Sequence, residues 1–307
     1  MPINKPNYNK PKFLKRGDQI EIIASARYFS RKELILAINN IESFGYSVKC
    51  DINFDNKKDI FSDSKTNRIR LLQRALDNKD NKAVFFARGG YGTIQLIDYI
   101  NFDLFIKSPK WVVGFSDITI VLMHIFYQYN VKSIHGPMPY NYKYTLPKNI
   151  TELFHVLSGK FNEITIKGHD LNNEGDCSGI LIGGNLSIIS SLIGSQSIKT
   201  QKNTILLIEE VDEYLYHIER MMYTLKRSKL LANLNGVIVG SMTNIKDNDD
   251  SFGKNAYQII SDICNQYNYP ICFNFPAGHN KNNHPLVMGQ KINLNVTQNS
   301  CTLKYIM

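Results

Sequence analysis

The sequence predicts an α/β fold whose first half is a doubly wound parallel sheet, and two observations carry that expectation. Apolar runs rich in β-branched residues alternate with amphipathic helical stretches from Gln19 to Gln128, the order of a parallel sheet wound by helices. Two of those runs end in glycine-bearing turns, at residues 88–92 and 114–117, and open α/β sheets bind ligands at that carboxyl edge. A length of 307 residues, 43% hydrophobic and 21% charged, suits one large or two medium domains with a real core.

Gly17-Asp18 makes a turn, and residues 19–24 read as the first strand. Ser30 and Glu33 form a capping box, followed by Leu34, Ile38, Ile41 and Phe44 at helical spacing until Gly45 stops the helix. Residues 46–50 give a second strand, 51–66 an exposed loop, 68–76 a helix, and 83–87 a third strand running into Arg88-Gly89-Gly90-Tyr91-Gly92. A helix over 93–99 leads to the strand that begins at Lys110, and a further helix spans 118–128. From His135 the composition changes, and Gly136-Pro137-Met138-Pro139 marks the approaching end of a first domain, 1–150. An interdomain crossover covers 151–176 and a C-terminal domain covers 177–307. In that last part a strand reaches Ile182, Gly183-Gly184-Asn185-Leu186 opens a helix ending near Gly194, and a strand over 204–208 ends in Glu209-Glu210. A helix to about Leu230, a strand over 236–240, a helix over 256–267, a strand over 270–275 and an edge strand over 291–296 complete the order.

The 36 basic and 27 acidic residues leave a net charge of +9, but Lys and Arg are scattered. A solvated surface is expected, and no nucleic-acid partner without a binding motif. No run approaches the roughly 18 apolar residues of a membrane span, and residues 1–15 lack an apolar leader core. No membrane partner and a cytoplasmic location are therefore expected. Cys50, Cys177, Cys264, Cys272 and Cys301 are odd in number and contain no C-x-x-C pair. They read as free thiols in a reducing compartment rather than a zinc site; no metal or cofactor is expected.

The stretch from Lys110 to Thr119 reads as strand, tight turn and helix with Ser116 at the apex. This is the layout of a nucleophile elbow, in which a hydroxyl on a sharp turn stands clear of the sheet. The amides opening the next helix then point at a developing oxyanion. The alternative is that Ser116 merely caps the helix, and Ile118 stands where a full G-x-S-x-G would have Gly. The loop at 88–92 admits an oxyanion-hole reading, a phosphate cradle, or a helix-starting turn, although it lacks both Gly-Lys-Ser/Thr and G-x-G-x-x-G. A serine nucleophile needs a base and a group to orient that base. Of seven histidines, His279 follows Pro276-Ala277-Gly278 after an apolar strand, and His284 and His135 compete with it. His124, His155, His169 and His217 read as structural or solvated. For the acid, Glu209 and Glu210 end a buried strand, where an unpaired carboxylate is costly; alternatively both are helix-start charges. Strand alternation leaves the choice between them open.

Taken together these residues resemble the LD-carboxypeptidase family, serine peptidases that include muramoyl-tetrapeptide carboxypeptidases and microcin C immunity hydrolases. The resemblance rests on Leu14-Lys15-Arg16-Gly17-Asp18, the 87–92 and 113–117 blocks, His135-Gly136-Pro137, Gly183-Gly184-Asn185-Leu186-Ser187, Ile208-Glu209-Glu210 with Glu213, Tyr216 and 218–221, and Gly278-His279 with Asn282 and Gly289. It implies Ser116 as nucleophile, His279 as general base, Glu209 as its orienting acid, and the amides of Gly90 and Asp117 as oxyanion hole. It also implies an N-terminal domain resembling class I glutamine amidotransferase domains and a C-terminal α/β domain with a barrel-like sheet. The implied activity is removal of the terminal D-Ala from murein tetrapeptides in cell-wall recycling, with a small peptide as partner and a homodimer as a candidate assembly. A microcin C-type peptidyl- or aminoacyl-nucleotide hydrolase and a catalytically silent peptide-binding protein are the alternatives. Two departures, Ala24-Ser25-Ala26 in place of Pro-Ser and Val287 in place of Pro, concern the shape of the pocket.

Overall fold

The computed structural model describes residues 10–307; positions 1–9 of the segment expected to lack a leader lie outside the described residues. Strand β1 (Gln19–Ile23) is followed by helix α1 (Arg31–Ser43), strand β2 (Ser47–Cys50), helix α2 (Lys65–Asp77) and strand β3 (Asn81–Phe86). The box at Ser30 is formed as expected, with Glu33 N–H donating to Ser30 Oγ and Ser30 N–H to Glu33 Oε2. Residues 93–99 are two 3₁₀ turns, Thr93–Gln95 and Ile97–Tyr99, rather than the helix expected. Gly92 enters them at φ 133°, and Asp117 Oδ2 takes the Thr93 N–H, so the segment is pinned at its start and too short to propagate an α-helix.

Helix α3 (Asp103–Lys107), strand β4 (Trp111–Gly114), helix α4 (Thr119–Tyr129), strand β5 (Ser133–His135) and helix α5 (Pro147–Leu157) follow. β5 was not foreseen, since three residues cannot show a period. The second half contains β6 (Ile164–Lys167), β7 (Gly175–Asn185), α6 (Leu186–Leu192), β8 (Thr204–Val211), α7 (Leu215–Arg227), β9 (Leu234–Thr243), α8 (Ala256–Cys264), β10 (Ile271–Cys272), β11 (Leu286–Met288), β12 (Lys291–Val296) and β13 (Ser300–Tyr305).

Among the described residues these strands make two mixed sheets. One has the order β11-β5-β4-β3-β1-β2, with β1 to β5 parallel and β11 antiparallel. The other runs β10-β9-β8-β7-β12-β13-β6, parallel from β7 to β10 and antiparallel beyond β7. β12 is thus an interior strand, not the edge expected, because the unforeseen β13 covers its far side. Asn173 and Ile271 exchange backbone hydrogen bonds of 3.1 and 3.0 Å, an isolated bridge between the segment leading into β7 and β10.

α4 is apolar around most of its circumference, which a helix tolerates only when covered on all sides. Its Ile120, Val121 and Ile125 share one buried cluster with Leu181, Ile182 and Leu186 of the second half. On the other face of the first sheet, Leu153, Phe154 and Leu157 of α5 pack with Ala83, Phe85 and Trp111. No helix among the described residues is long and apolar enough to cross a membrane.

Candidate active site

β4 ends at Gly114, Phe115 is extended, and Ser116 then takes φ 62° before a 3₁₀ turn over Ser116–Ile118 that leads into α4. A left-handed serine costs about 1–3 kcal/mol and persists only where its surroundings hold it. Here the strain projects the hydroxyl off the sheet edge. The helix-cap alternative does not hold, because no side chain caps this turn and Ser116 Oγ is engaged elsewhere. Ile118 is fully buried, and its Cγ2 would lie 2.8 Å from a Cβ on Gly114. The missing fifth glycine is therefore a core side chain packed over the first one.

His279 Nε2 lies 3.1 Å from Ser116 Oγ, and Nδ1 lies 2.7 Å from Glu209 Oε2. Both acidic candidates sit inside β8, not at a helix start, and they diverge. Glu210 accepts from Asn185 Nδ2 at 2.8 Å, Ser187 N at 2.7 Å and Val211 N at 2.9 Å. Pairing of β8 with β9 slips between Ile208↔Val239 and Glu210↔Met242, so β9 carries an extra residue opposite Glu209. Such a bulge re-aims a side chain. Gly278, at φ 104°, completes the approach, since a Cβ there would stand 2.6 Å from Glu209 Oε2.

Burial penalises the Glu209 carboxylate, but the charge and hydrogen bond of His279 outweigh that and lower its pKa. Burial likewise disfavours the His279 imidazolium, yet the Glu209 charge and hydrogen bond raise its pKa overall. Glu210 is pushed up to about 6, by burial first and then by the Glu209 charge. The geometry therefore holds an imidazole between a buried carboxylate and a hydroxyl, with Nε2 facing the hydroxyl. That arrangement can activate an oxygen nucleophile.

Gly89 packs against Ser116, where an added Cβ would lie 3.2 Å from Ser116 Oγ. The next residue, Gly90, has φ 109°. The N–H groups of Gly90 and Asp117 take no acceptor among the described residues. The Asp117 side chain, nearly fully buried, accepts the Thr93 N–H at 2.9 Å and so ties the glycine loop to the elbow. Arg68 braces the same loop from α2. It is buried and donates from Nη1 to Ser25 O at 2.7 Å and Gly92 O at 3.2 Å, and from Nη2 to Gln95 Oε1 at 2.7 Å. Sequence reasoning missed Arg68; the only available signal was an arginine on the apolar side of a predicted helix.

The competing histidines stand elsewhere. His284 Nδ1 is 2.7 Å from Glu152 Oε2, and His124 Nδ1 is 2.9 Å from Ser197 Oγ. His217 meets Glu213, whereas His169 packs on Tyr257 and Phe273. His155 lies in the last turn of α5. His135 is fully buried on β5, edge-on to Phe115, and burial lowers its pKa to about 4.

Residues 20–136 match the family model described as the LD-carboxypeptidase N-terminal domain, and residues 178–294 match the LD-carboxypeptidase C-terminal domain. A probable murein peptide carboxypeptidase of Bacillus subtilis is 28% identical over 304 residues, covering 97% of this chain and 95% of that one. The murein tetrapeptide carboxypeptidase of Pseudomonas aeruginosa is 25% identical over 287 residues, with coverage of 89% and 91%. The crystal structure of muramoyltetrapeptide carboxypeptidase from Oxalobacter formigenes superimposes with a TM-score of 0.86 at 26% identity, over 94% of this chain and 98% of that one. With both domain models matched in order and relatives aligned over nearly the full length, the chain belongs to the LD-carboxypeptidase family of serine peptidases.

Proposed function

We propose that this protein is a serine LD-carboxypeptidase that removes the terminal D-alanine from murein tetrapeptides, cutting the amide between an L-centre and a D-residue during cell-wall recycling. The observation that carries the reading is the unbroken relay from Glu209 Oε2 through His279 to Ser116 Oγ, at 2.7 and 3.1 Å. The murein tetrapeptide activity named for the Pseudomonas aeruginosa relative supplies the substrate.

In this mechanism His279 Nε2 takes the Ser116 proton as Oγ attacks the scissile carbonyl. Glu209, accepting from Nδ1, fixes the tautomer and stabilises the imidazolium. The amides of Gly90 and Asp117 receive the oxyanion; because they are held before substrate arrives, no reorganisation is needed at the moment of reaction. Collapse returns the proton to the leaving amine and releases D-alanine. Water, deprotonated by His279, then attacks the acyl-enzyme and frees the tripeptide and Ser116.

The same reading divides the chain at 1–150, 151–176 and 177–307. The first part is taken as a domain of the class I glutamine amidotransferase type, supported by five parallel strands in sequence. The second is taken as a barrel-like sheet, supported by the Asn173–Ile271 link. It also carries a cytoplasmic location and a homodimer as the assembly to test. Ser116→Ala is expected to cut D-alanine release from purified murein tetrapeptide by about a thousandfold or more. Release at the wild-type rate by that variant, followed by chromatography of the products, refutes the mechanism.

A further inference from the structure

In the proposed reaction His279 returns its proton to the leaving amine, so the released residue must stand beside His279 Nε2. A cleft of about 230 Å³ opens there, lined by Phe115 and His279 and by Asn141, Tyr144, Lys281 and Asn283. That is less than the ~300–1,000 Å³ of pockets that take drug-sized ligands, and it suits a single small residue better than a length of peptide.

The walls are built. Leu146 N–H donates to Lys281 O at 2.9 Å, joining the loop after β5 to the loop that carries His279. Asn283 Oδ1 accepts from Gly278 N at 2.9 Å, fixing the floor next to the histidine. Asn141 Oδ1 is buried without a hydrogen-bond partner among the described residues.

The cations around this cleft differ in their engagement. Lys143 is ion-paired with Glu33 at 2.9 Å. Arg88 donates to Tyr28 O at 3.0 Å and lies over the Tyr140 ring. Lys281 is exposed, and its ammonium has neither a hydrogen bond nor an ion pair among the described residues. An exopeptidase that acts only at a chain end has to read the terminal carboxylate, and an unengaged lysine lining the leaving-residue space is a group for that task.

We propose that this cleft is the subsite for the released D-amino acid and that Lys281 pairs with its carboxylate. The inference rests on the carboxypeptidase reading above. Lys281 meets the neighbouring loop through its backbone carbonyl, so side-chain replacement leaves that contact in place.

The test compares kcat/KM for a murein tetrapeptide ending in free D-alanine with kcat/KM for the same peptide amidated at that end. The comparison is made in wild type, Lys281→Gln and Lys281→Arg. Wild type is expected to favour the acid. Lys281→Gln should lower the acid-to-amide ratio about tenfold, mostly through KM, as for one partly exposed charge-assisted contact, and Lys281→Arg should restore most of it. An unchanged ratio in Lys281→Gln, with the acid peptide still cleaved by wild type, overturns the subsite and leaves the peptidase reading standing. Failure of wild type to cleave either peptide while Ser116 still reacts with a fluorophosphonate overturns the peptidase reading, and the subsite with it.

Discussion

The base strength of His279 is a balance between two opposed environments. Burial alone would favour the neutral ring at lower pH, and the Glu209 carboxylate at 2.7 Å more than reverses this. Since the proposed base His279 can accept a proton only when neutral, kcat/KM should rise with pH along a limb above the ordinary histidine value of about 6.5. Glu209→Gln removes the raising charge and leaves burial, so the limb should move to lower pH while kcat falls roughly 10²- to 10⁴-fold. A limb that stays in place in that variant, measured across pH on one peptide, sinks the role given to Glu209. The elbow, the two acids and His279 were legible as candidates because their residue types stand at strand ends and tight turns. The different surroundings of Glu209 and Glu210 were not, since they depend on a bulge in the neighbouring β9 that alternation within β8 cannot report. His135 was weighed as a base from its place in a short motif, but its depth in the sheet, with both ring nitrogens lacking a hydrogen-bond partner among the described residues, depends on β11 arriving from far along the chain.

Among elements, α2 has a task beyond covering the sheet. Its Arg68 holds Ser25 O, Gly92 O and Gln95 Oε1 from beneath the glycine loop. Arg68→Ala strands those acceptors, which should lower stability by about 2–4 kcal/mol, the range for losing charged hydrogen bonds in a buried setting. It should also let the Gly90 amide drift, so kcat should fall more than KM rises. Thermal unfolding and steady-state kinetics on the same preparation check both halves; a lowered Tm with kcat intact removes the bracing role. α1 and α7 were readable because their apolar positions recur with helical spacing over 13 residues each. The short strands β5, β10 and β11 carry no such signal, and the 93–99 segment was misread because its turns are set by Asp117, 24 residues from Thr93. The status of β12 followed from missing β13, as an edge is defined by what lies beyond it.

At the scale of the whole molecule, the two halves are completed by each other. Ser116, the proposed nucleophile, stands at the end of the first sheet's β4, and its proposed base lies 163 residues later on the loop between β10 and β11. That same return puts β11 on β5, pairing Leu286 with His135, and buries α4 against β7 and α6. Such long-range pairing leaves no local trace in sequence, so the order of strands and helices was legible while their interlocking was not. Residues 1–150 alone would lose the antiparallel partner of β5 and uncover an apolar helix face, a combination that favours association over a fixed fold. The fragment is therefore expected to show no cooperative thermal transition by circular dichroism, while the full chain shows one. Co-expression with residues 151–307 should recover both the transition and labelling of Ser116 by a fluorophosphonate, because docking rebuilds the sheet and the relay in one step. A fragment that unfolds cooperatively at the Tm of the full chain would mean that the first half stands alone and that β11 serves only to deliver His279.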